Sequence, residues 1–201
     1  MNSVVDIRNV PIMWMTCDKS IGSRQDGFLD MMSKLGLQAE KMNGDITSNY
    51  NIGVASEYIE ALCKYDPPFL ILEDDARINP NIKFEYEYDL TEGMDALYLG
   101  TSIVGRINKE TKIGVIAADA GKYNRIFNML SFHAVLYLSK KYVNKTISLL
   151  QYYLDNPIGA CDDILAENMW KSNVFSLKEP VFYQNDGRNE AMTLNIIRAI
   201  L

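Results

Sequence analysis

FLILEDDARI, residues 69–78, runs from four apolar residues directly into three consecutive carboxylates, Glu73, Asp74 and Asp75. A short apolar run that follows the helix-stopping DPP at residues 66–68 is typical of a buried strand. Three like charges at its end repel one another and resist the loss of water unless a cation or a hydrogen-bonding ligand lies among them. The stretch therefore predicts a buried strand that ends at a binding site, with a helix cap or a water-filled rim as the alternatives.

The residues before this strand alternate between two hydrophobic periods. VPIMWMT at residues 10–16 is typical of a strand, with Pro11 at its first position or on an edge. Apolar residues at helical spacing follow at 24–35, a short extended piece at 38–42, and a second helical pattern at 52–62. Strands that alternate with helices predict an α/β fold with a mostly parallel sheet, and ligands bind such sheets at the carboxyl ends of the strands. Residues 73–75 lie at such an end.

The second half of the chain continues this pattern. We predict strands at 95–100, 132–138, 174–177 and 180–184, and helices after the second of these and from about residue 162 to 172. Residues 101–130 are expected to be an irregular loop region with a short hairpin around IGVIAA, and residues 189–201 a terminal helix. A length of 201 residues and an apolar content of 48% suit one domain.

The cysteines and the amino terminus indicate a reducing compartment. Cys17, Cys63 and Cys161 are odd in number and far apart, which favours neither a disulfide framework nor a zinc site. The first fifteen residues contain only a short apolar run, too brief for a signal peptide or a membrane span. We therefore expect the cytoplasm of a bacterium or of a virus-infected cell.

Charge is distributed unevenly along the chain. Net charge is −6, yet residues 73–100 hold eight acids and two bases, whereas residues 101–150 hold eight bases and two acids. Adjacent acidic and basic segments suit a site that holds a metal on one side and an anion on the other. Two solvated faces are the alternative. The carboxylates could hold Mg²⁺ or Mn²⁺, which prefer oxygen ligands and bridge to substrate phosphates. No G-x-x-x-x-G-K-[ST] motif is present, which disfavours nucleotide hydrolysis.

An ordered set of motifs spans most of the chain and resembles the family 25 glycosyltransferases, the lipopolysaccharide and collagen galactosyltransferase type. The motifs are SRQDGFLDMMSKLGLQAEKMNGDI (23–46), LEDDA (72–76), MDALYLG (94–100), SFHAVLYLSKKYVNKTI (131–147), CDDIL (161–165) and SLKEPVFYQND (176–186). One departure concerns the helix before the acidic motif, where Glu57 follows Ser56 in place of the family's histidine. The resemblance implies the GT-A fold and an inverting, metal-dependent hexosyl or pentosyl transfer from a nucleotide sugar, most simply a UDP-sugar. It also implies that residues 1–100 are the nucleotide-sugar-binding half of the single domain 1–201 and that residues 101–201 are the acceptor-binding and catalytic half.

The resemblance also assigns roles to the acids and their neighbours. Asp75, with Asp74, is expected to hold Mn²⁺ or Mg²⁺ against the leaving diphosphate, and His133 is a candidate third ligand or a core residue. Glu73 and Asp74 would contact ribose or the waters of the metal. Arg24 is a candidate diphosphate partner, with a solvated helix position as the alternative.

The remaining candidates lie on both halves of the chain. Thr16 and Asn43 are predicted to bind the donor, and Gln184 and Asp186 to approach it from the carboxyl-terminal side. Asp162 is the predicted base that deprotonates the acceptor, and Asp163 is the reserve. One acid of such a pair is expected to cap the following helix.

The acceptor stays open at this point. A glycan or lipopolysaccharide precursor is one class, and a hydroxymethylated DNA base, as in viral DNA modification, is the other. A non-catalytic nucleotide-sugar or glycan binding module on the same fold is the alternative to an enzyme.

Overall fold

The computed structural model describes residues 3–17, 23–44, 49–107 and 113–185. These residues form an α/β fold in which helices cover both faces of one large mixed sheet. The α-helices are α1 (Ser23–Lys34), α2 (Tyr50–Lys64), α3 (Lys140–Asp155) and α4 (Cys161–Asn168). The strands are β1 (Ser3–Asp6), β2 (Ile12–Cys17), β3 (Glu40–Gly44), β4 (Phe69–Glu73), β5 (Ala76–Ile78), β6 (Glu87–Leu90), β7 (Ala96–Tyr98), β8 (Val104–Gly105), β9 (Ile113–Gly114), β10 (Ala117–Ala120), β11 (Tyr123–Ile126), β12 (Ala134–Tyr137), β13 (Val174–Leu177) and β14 (Phe182–Gln184).

The eight-stranded sheet has the order β10-β11-β13-β7-β12-β4-β2-β3. The predicted fold class, a sheet flanked by helices in a Rossmann-like arrangement, is confirmed. Fewer strand pairs are parallel than expected. The parallel pairs join β13 to β7 and β2 to both β4 and β3, whereas the other four pairs are antiparallel. Two of these four involve β12, which lies between β4 and β7; the others are the tight β10–β11 hairpin, which can only pair antiparallel, and the pair of β11 with β13.

Strand β4 is buried on both faces, as its apolar run predicts. Phe69 and Ile71 pack into the core under α2, α3 and α4, whereas Leu70 and Leu72 pack into the core on the side of α1. All four side chains have 0% exposure. Burial of each one stabilises the fold by about 1.5–3 kcal/mol. The strand is therefore the central element that carries Glu73 to the edge of the sheet.

The crossovers create a crevice at the carboxyl ends of β2 and β4. The chain leaves β2 through α1 on one face to reach β3, and then returns through α2 on the other face to β4, on the opposite side of β2. Such a switch in direction leaves a crevice outside the sheet, where α/β folds bind their ligands. In this chain the crevice opens beside Thr16 of β2 and Glu73 of β4.

The ends of several elements agree with the sequence pattern. Gly36, with φ of +63°, lies just after α1. Pro11 directly precedes β2, an interior strand of the sheet, and the Pro11 carbonyl accepts the Leu70 N–H at 2.9 Å. Asn49 and Ser139 cap α2 and α3 through hydrogen bonds to the N–H groups of residues 51 and 142. None of the helices in the described ranges has the length and apolar content needed to cross a membrane.

Two regions differ from the expectations. Residues 101–130 are more regular than predicted, because β10 and β11 extend the main sheet and β8 pairs with β9. Strand β14 does not join the main sheet but pairs with β5, which brings Gln184 opposite Ala76. The predicted terminal helix at 189–201 lies outside the described residues.

Candidate functional site

Asp74 and Asp75 form a buried carboxylate pair at the carboxyl end of β4. Their exposed fractions are 5% and 3%. Nη2 of Arg24, at the start of α1, bridges the two acids at 2.9 Å from Asp74 Oδ1 and 2.9 Å from Asp75 Oδ2. Gln184 Nε2 also donates to Asp75 Oδ2, at 3.0 Å, whereas Asp75 Oδ1 is buried without a hydrogen-bond partner. A buried carboxylate oxygen without a partner is costly to the fold.

Thr16 joins the end of β2 to the same pair. Its Oγ1 donates to Asp74 Oδ2 at 2.8 Å and accepts from Gln25 Nε2 at 2.9 Å. Its backbone N–H donates to Glu57 Oε1 at 3.1 Å, and Glu57, on α2, is 5% exposed. The residue that replaces the histidine of the resembled family thus holds the end of β2 from the α2 side.

Arg77 fixes the turn that carries the acids. Its guanidinium donates to the backbone carbonyls of Asp74 (2.9 Å), Ala76 (2.8 Å) and Arg24 (2.7 Å). These bonds tie the first turn of α1 to the loop after β4. Burial lowers the pKa of Arg77, although the charges of Asp75 and Asp74 act in the opposite direction. Arg77 is a positioning residue that holds Arg24 and Asp74 in register.

Glu73 lies at the centre of the acidic group. Its pKa is raised well above the ordinary value, first by burial and then by the charges of Asp75, Asp162 and Asp74, while Arg24 acts in the opposite direction. Burial also raises the pKa of Asp75 to about 6, against the lowering effect of Arg24 and Gln184. Burial is the largest cause of both shifts, because it disfavours the charged form of a carboxyl. A cation bound beside these groups would favour their charged forms.

Two connected cavities open on these acids. The inner cavity has a volume of about 70 Å³ and is lined by Thr16, Arg24, Glu57, Asp74 and Asp75, among others. The outer cleft has a volume of about 360 Å³ and is lined by Ser102, Val104, Ser131, Phe132 and Asp162, among others. Tyr50, Val54, Glu73 and Gln184 line both. Small-molecule sites span about 300–1,000 Å³, so the outer cleft is of a size to take a sugar.

The two acids at the start of α4 have different surroundings. Asp162 lines the outer cleft and is near enough to raise the pKa of Glu73. Asp163 Oδ2 instead receives the Ala160 N–H at 3.1 Å and Arg106 Nη1 at 2.6 Å, and Arg106 also donates to Glu167 through Nε at 3.1 Å. Asp163 therefore caps the helix and anchors Arg106, as expected of one acid in such a pair. Asp162 keeps its predicted place at the site, and Asp163 does not lie on it.

The His133 side chain makes its hydrogen bond with Ser131 and not with the carboxylate pair. Its backbone carbonyl accepts the Glu73 N–H at 3.0 Å, but its ring Nδ1 lies 2.6 Å from Ser131 Oγ. The side chain is 1% exposed, and burial lowers its pKa to about 4. Within the described ranges no three His, Cys, Asp or Glu side chains are grouped to hold a metal ion. The structure thus brings Asp74 and Asp75 together without His133.

The remaining candidates are Asn43, Asp186 and the bases of residues 101–150. Asn43 lies beside Thr16 in the pairing of β3 with β2, and Asp186 lies outside the described residues. The described basic side chains of residues 101–150 line neither cavity, although other residues of this segment line the outer cleft. Lys122 and Lys140 instead pair with the exposed acids Asp89 and Asp66. Lys109 and Lys112 are outside the described residues. The alternative of a solvated face suits these two exposed lysines.

Sequence reasoning missed Glu57, Arg77 and Ser131. Each is a single polar residue inside or beside an element whose pattern is otherwise explained by packing. A buried charge at an inward helical position was the available signal for Glu57, because α2 also places Ala61 of the core four residues further along the same face. Arg77 contacts the backbone of Arg24, 53 residues away in the chain, which no local pattern reports. Ser131 contacts His133, two residues away, but its place on the outer cleft depends on the fold.

No family model and no curated protein sequence matches the chain. Three solved structures are similar in fold. The CTP:phosphocholine cytidylyltransferase LicC from Streptococcus pneumoniae has a TM-score of 0.46 and 14% identity, over 89% of this chain and 73% of that chain. A197 from STIV has a TM-score of 0.45 and 12% identity, over 96% and 97%. The inositol-1-phosphate CTP transferase from T. maritima has a TM-score of 0.42 and 13% identity, over 87% and 69%. Similarity this low carries no conclusion about what this chain binds, so the resemblance to family 25 glycosyltransferases stays a prediction from its motifs.

Proposed function

We propose that this chain is a metal-dependent transferase that moves a sugar from a nucleotide-sugar donor to an acceptor hydroxyl, with inversion at the sugar. One observation carries the proposal: Asp75 is buried with one oxygen unpartnered, beside Asp74 and at the switch point of the sheet. Asp162 faces the same group of acids from across the outer cleft. A place for a cation and a place for a base are the two requirements of such a transfer.

Charge is the reason for expecting a metal. The described lining of the two cavities contains five carboxylates, from Glu57, Glu73, Asp74, Asp75 and Asp162, and the guanidinium of one arginine. A diphosphate would be repelled by such a site. A divalent ion held by Asp74 and Asp75 reverses this, because Mg²⁺ and Mn²⁺ take one or two carboxylates and complete their coordination with water and substrate phosphates.

The residues around the pair suit that role. Arg24 and Gln184 both hold Asp75 Oδ2, which leaves Oδ1 directed at the position of an ion. Thr16 and Arg24 hold the two oxygens of Asp74. Arg24 is thus better assigned to orienting the carboxylates than to binding diphosphate alone. When bound, the ion would neutralise the charge that develops on the departing diphosphate.

Asp162 is the proposed base. The acceptor hydroxyl binds in the outer cleft and transfers its proton to the Asp162 carboxylate as its oxygen bonds to the anomeric carbon. The bond from that carbon to the diphosphate oxygen breaks, and its electron pair leaves with the nucleoside diphosphate. Entry and departure on opposite faces of the sugar invert its configuration. The acceptor is a glycan or lipopolysaccharide precursor, or the hydroxymethyl group of a DNA base.

Calorimetric titration with a panel of UDP-sugars tests the donor half of the proposal. The wild-type chain is expected to bind a donor in Mn²⁺ and to lose this binding in EDTA. Asp75→Asn keeps the size of the side chain but removes the charge, and is expected to weaken metal-dependent binding at least tenfold. Glu92→Gln, at an exposed position, is the matched control and should bind as the wild type does. Donor affinity that is unchanged both in EDTA and in Asp75→Asn would disprove the site assignment.

Turnover separates the enzyme from a binding module. Mass spectrometry of the protein with each donor, with and without glycan acceptors or duplex DNA containing hydroxymethylated bases, is expected to show transfer or slow donor hydrolysis. A donor that binds through Asp75 yet is never consumed would identify a nucleotide-sugar binding module instead. Transfer to DNA that falls steeply with added salt would indicate contacts to the phosphate backbone.

A further inference from the structure

Ser131 and His133 form a hydrogen-bonded pair on the wall of the outer cleft. Ser131 Oγ lies 2.6 Å from His133 Nδ1, and Ser131 is half-buried on the cleft wall. The imidazole ring is 1% exposed and packs against Gly100, where an added Cβ would lie 2.1 Å from Nε2. The ring therefore fills space that only a glycine at position 100 leaves open, and its orientation toward Ser131 is fixed by packing.

The contact with Ser131 is the hydrogen bond that holds the ring. Burial lowers the pKa of His133 to about 4, so the ring is neutral and carries a single N–H. Nε2 is buried and has no hydrogen-bond partner, whereas Nδ1 contacts the Ser131 hydroxyl. The Ser131 hydroxyl is therefore held at the ring through one of its hydrogen-bonding positions.

A hydroxyl has one donor and two acceptor positions, so Ser131 Oγ keeps hydrogen-bonding capacity for a ligand in the cleft. The carboxylates of Glu73 and Asp162, which line the same cleft, also offer oxygen atoms, and Val104, Leu130 and Phe132 add apolar surface beside them. A wall of acceptors and apolar patches is complementary to hydroxyl groups and C–H faces, which is the chemistry of a sugar ring. A phosphate group, which brings negative charge and further acceptors, is a poor match.

We propose that Ser131, oriented by His133, forms a hydrogen bond with a hydroxyl of a neutral sugar acceptor in the outer cleft. The inference deepens the proposed function and rests on it, because it names the acceptor class that the transfer would use. It favours a neutral glycan over a phosphorylated glycan or a DNA backbone at this position.

Ligand binding to the full chain in Mg²⁺ provides the test. Methyl hexopyranosides and their 6-phosphates are titrated by saturation-transfer NMR against wild type, Ser131→Ala, Ser131→Thr and Ser148→Ala. The neutral glycosides should bind the wild type at least tenfold more tightly than the phosphates. Ser131→Ala should weaken glycoside binding about threefold to tenfold, as for the loss of one hydrogen bond. Ser131→Thr retains the hydroxyl and should recover most of it, and Ser148→Ala, on the exposed side of α3, should have no effect.

The same samples are titrated with UDP-sugar and Mn²⁺, which distinguishes the two proposals. Ser131→Ala should leave donor affinity and melting temperature unchanged, and in a transfer assay should raise KM for the acceptor with little change in kcat. Metal-dependent donor binding with unaltered glycoside affinity in Ser131→Ala overturns this inference and leaves the proposed function standing. Preference for the 6-phosphates, or no glycoside binding at all, also overturns it. Loss of glycoside binding in Ser131→Ala without any donor binding supports the sugar site and refutes the transferase.

Discussion

The acids after β4 and the acids of α4 are both held by an arginine, but we expect the two pairs to affect the stability of the fold in opposite directions. In each region one arginine bridges two carboxylates: Arg24 holds Asp74 and Asp75, and Arg106 holds Asp163 and Glu167. Arg24 uses a single nitrogen for both acids, whereas Arg106 gives a separate nitrogen to each. The first pair lines a cavity, whereas the second lies along α4, with Asp163 in its first turn and Glu167 in its last.

The surroundings decide which pair is costly. Asp75 has Glu73 and Asp74 as chain neighbours, and its pKa is raised to about 6 because burial outweighs the effect of Arg24. Asp163 instead lies in the first turn of α4, where the helix dipole and the Ala160 N–H favour a negative charge. The presence of an ion pair therefore does not tell the two regions apart. The comparison predicts that neutralising Asp75 relieves the fold, whereas neutralising Asp163 damages it.

The largest expected effect concerns the acid of α4 that faces the cleft. Asp162→Asn removes the proposed base and should lower the transfer rate about 10²-fold to 10⁴-fold. Donor affinity in Mn²⁺ and the melting temperature should stay close to wild type, because Asp162 is not part of the bridged pair on Arg106. Steady-state kinetics with the best donor and acceptor provide the measurement. Asp155→Asn, exposed at the end of α3, is the control, and full activity in Asp162→Asn would transfer the role of base to another residue.

Its chain neighbour should show the reverse behaviour. Asp163→Ala removes the cap of α4 and leaves Arg106 partly buried with one acid fewer, which should cost about 2–4 kcal/mol of unfolding free energy. Urea denaturation measures this loss. The protein that remains folded should still bind donor in Mn²⁺, since Asp163 lines neither cavity. An unchanged urea midpoint would show that the ion pair with Arg106 does not support the fold.

The two regions also show what sequence can and cannot predict. A continuous apolar run placed β4 correctly, and strand ends in α/β folds are known binding positions, so the acids at 73–75 were assigned to a site from pattern alone. The choice of Asp162 over Asp163 came from the motif resemblance, because both lie in the first turn of one helix. The structure separates them, since Asp163 contacts Ala160 and the distant Arg106 whereas Asp162 lines the outer cleft.

The same limit applies to strand direction. Helical crossovers predict the parallel trio β3, β2 and β4 from local periodicity, but the antiparallel insertion of β12 depends on how a long connection returns to the sheet. Glu57 and Arg77 were missed for a related reason. Their hydrogen bonds to Thr16 and to the backbone of Arg24 join segments about forty and fifty residues apart.

A smaller effect, with the opposite sign to that of Asp163, is expected at Asp75. A carboxyl with a higher pKa in the folded chain takes up protons on folding, so its stabilising contribution is complete below about pH 4 and is lost as the pH rises through 6. Asp75→Asn should therefore raise the stability of the metal-free protein at pH 7.5 by about 1 kcal/mol. The gain should fade toward pH 4.5. Denaturation in EDTA at both pH values measures it, and a loss of stability at pH 7.5 would show that Arg24 outweighs the burial of Asp75.

The smallest expected effect concerns a charge pair outside both regions. Lys140 Nζ lies 2.6 Å from Asp66 Oδ1, but the two side chains are 55% and 84% exposed, so water competes with the contact. Because exposed ion pairs contribute little, Lys140→Ala should shift the melting temperature by less than about 2 °C. It should also leave donor binding unchanged over a range of salt concentrations. A salt-dependent loss of donor affinity in this variant would mean that the basic segment acts on the site from a distance. The electrostatic field of the surface lysines would then also contribute to the difference between the two arginine-bridged regions.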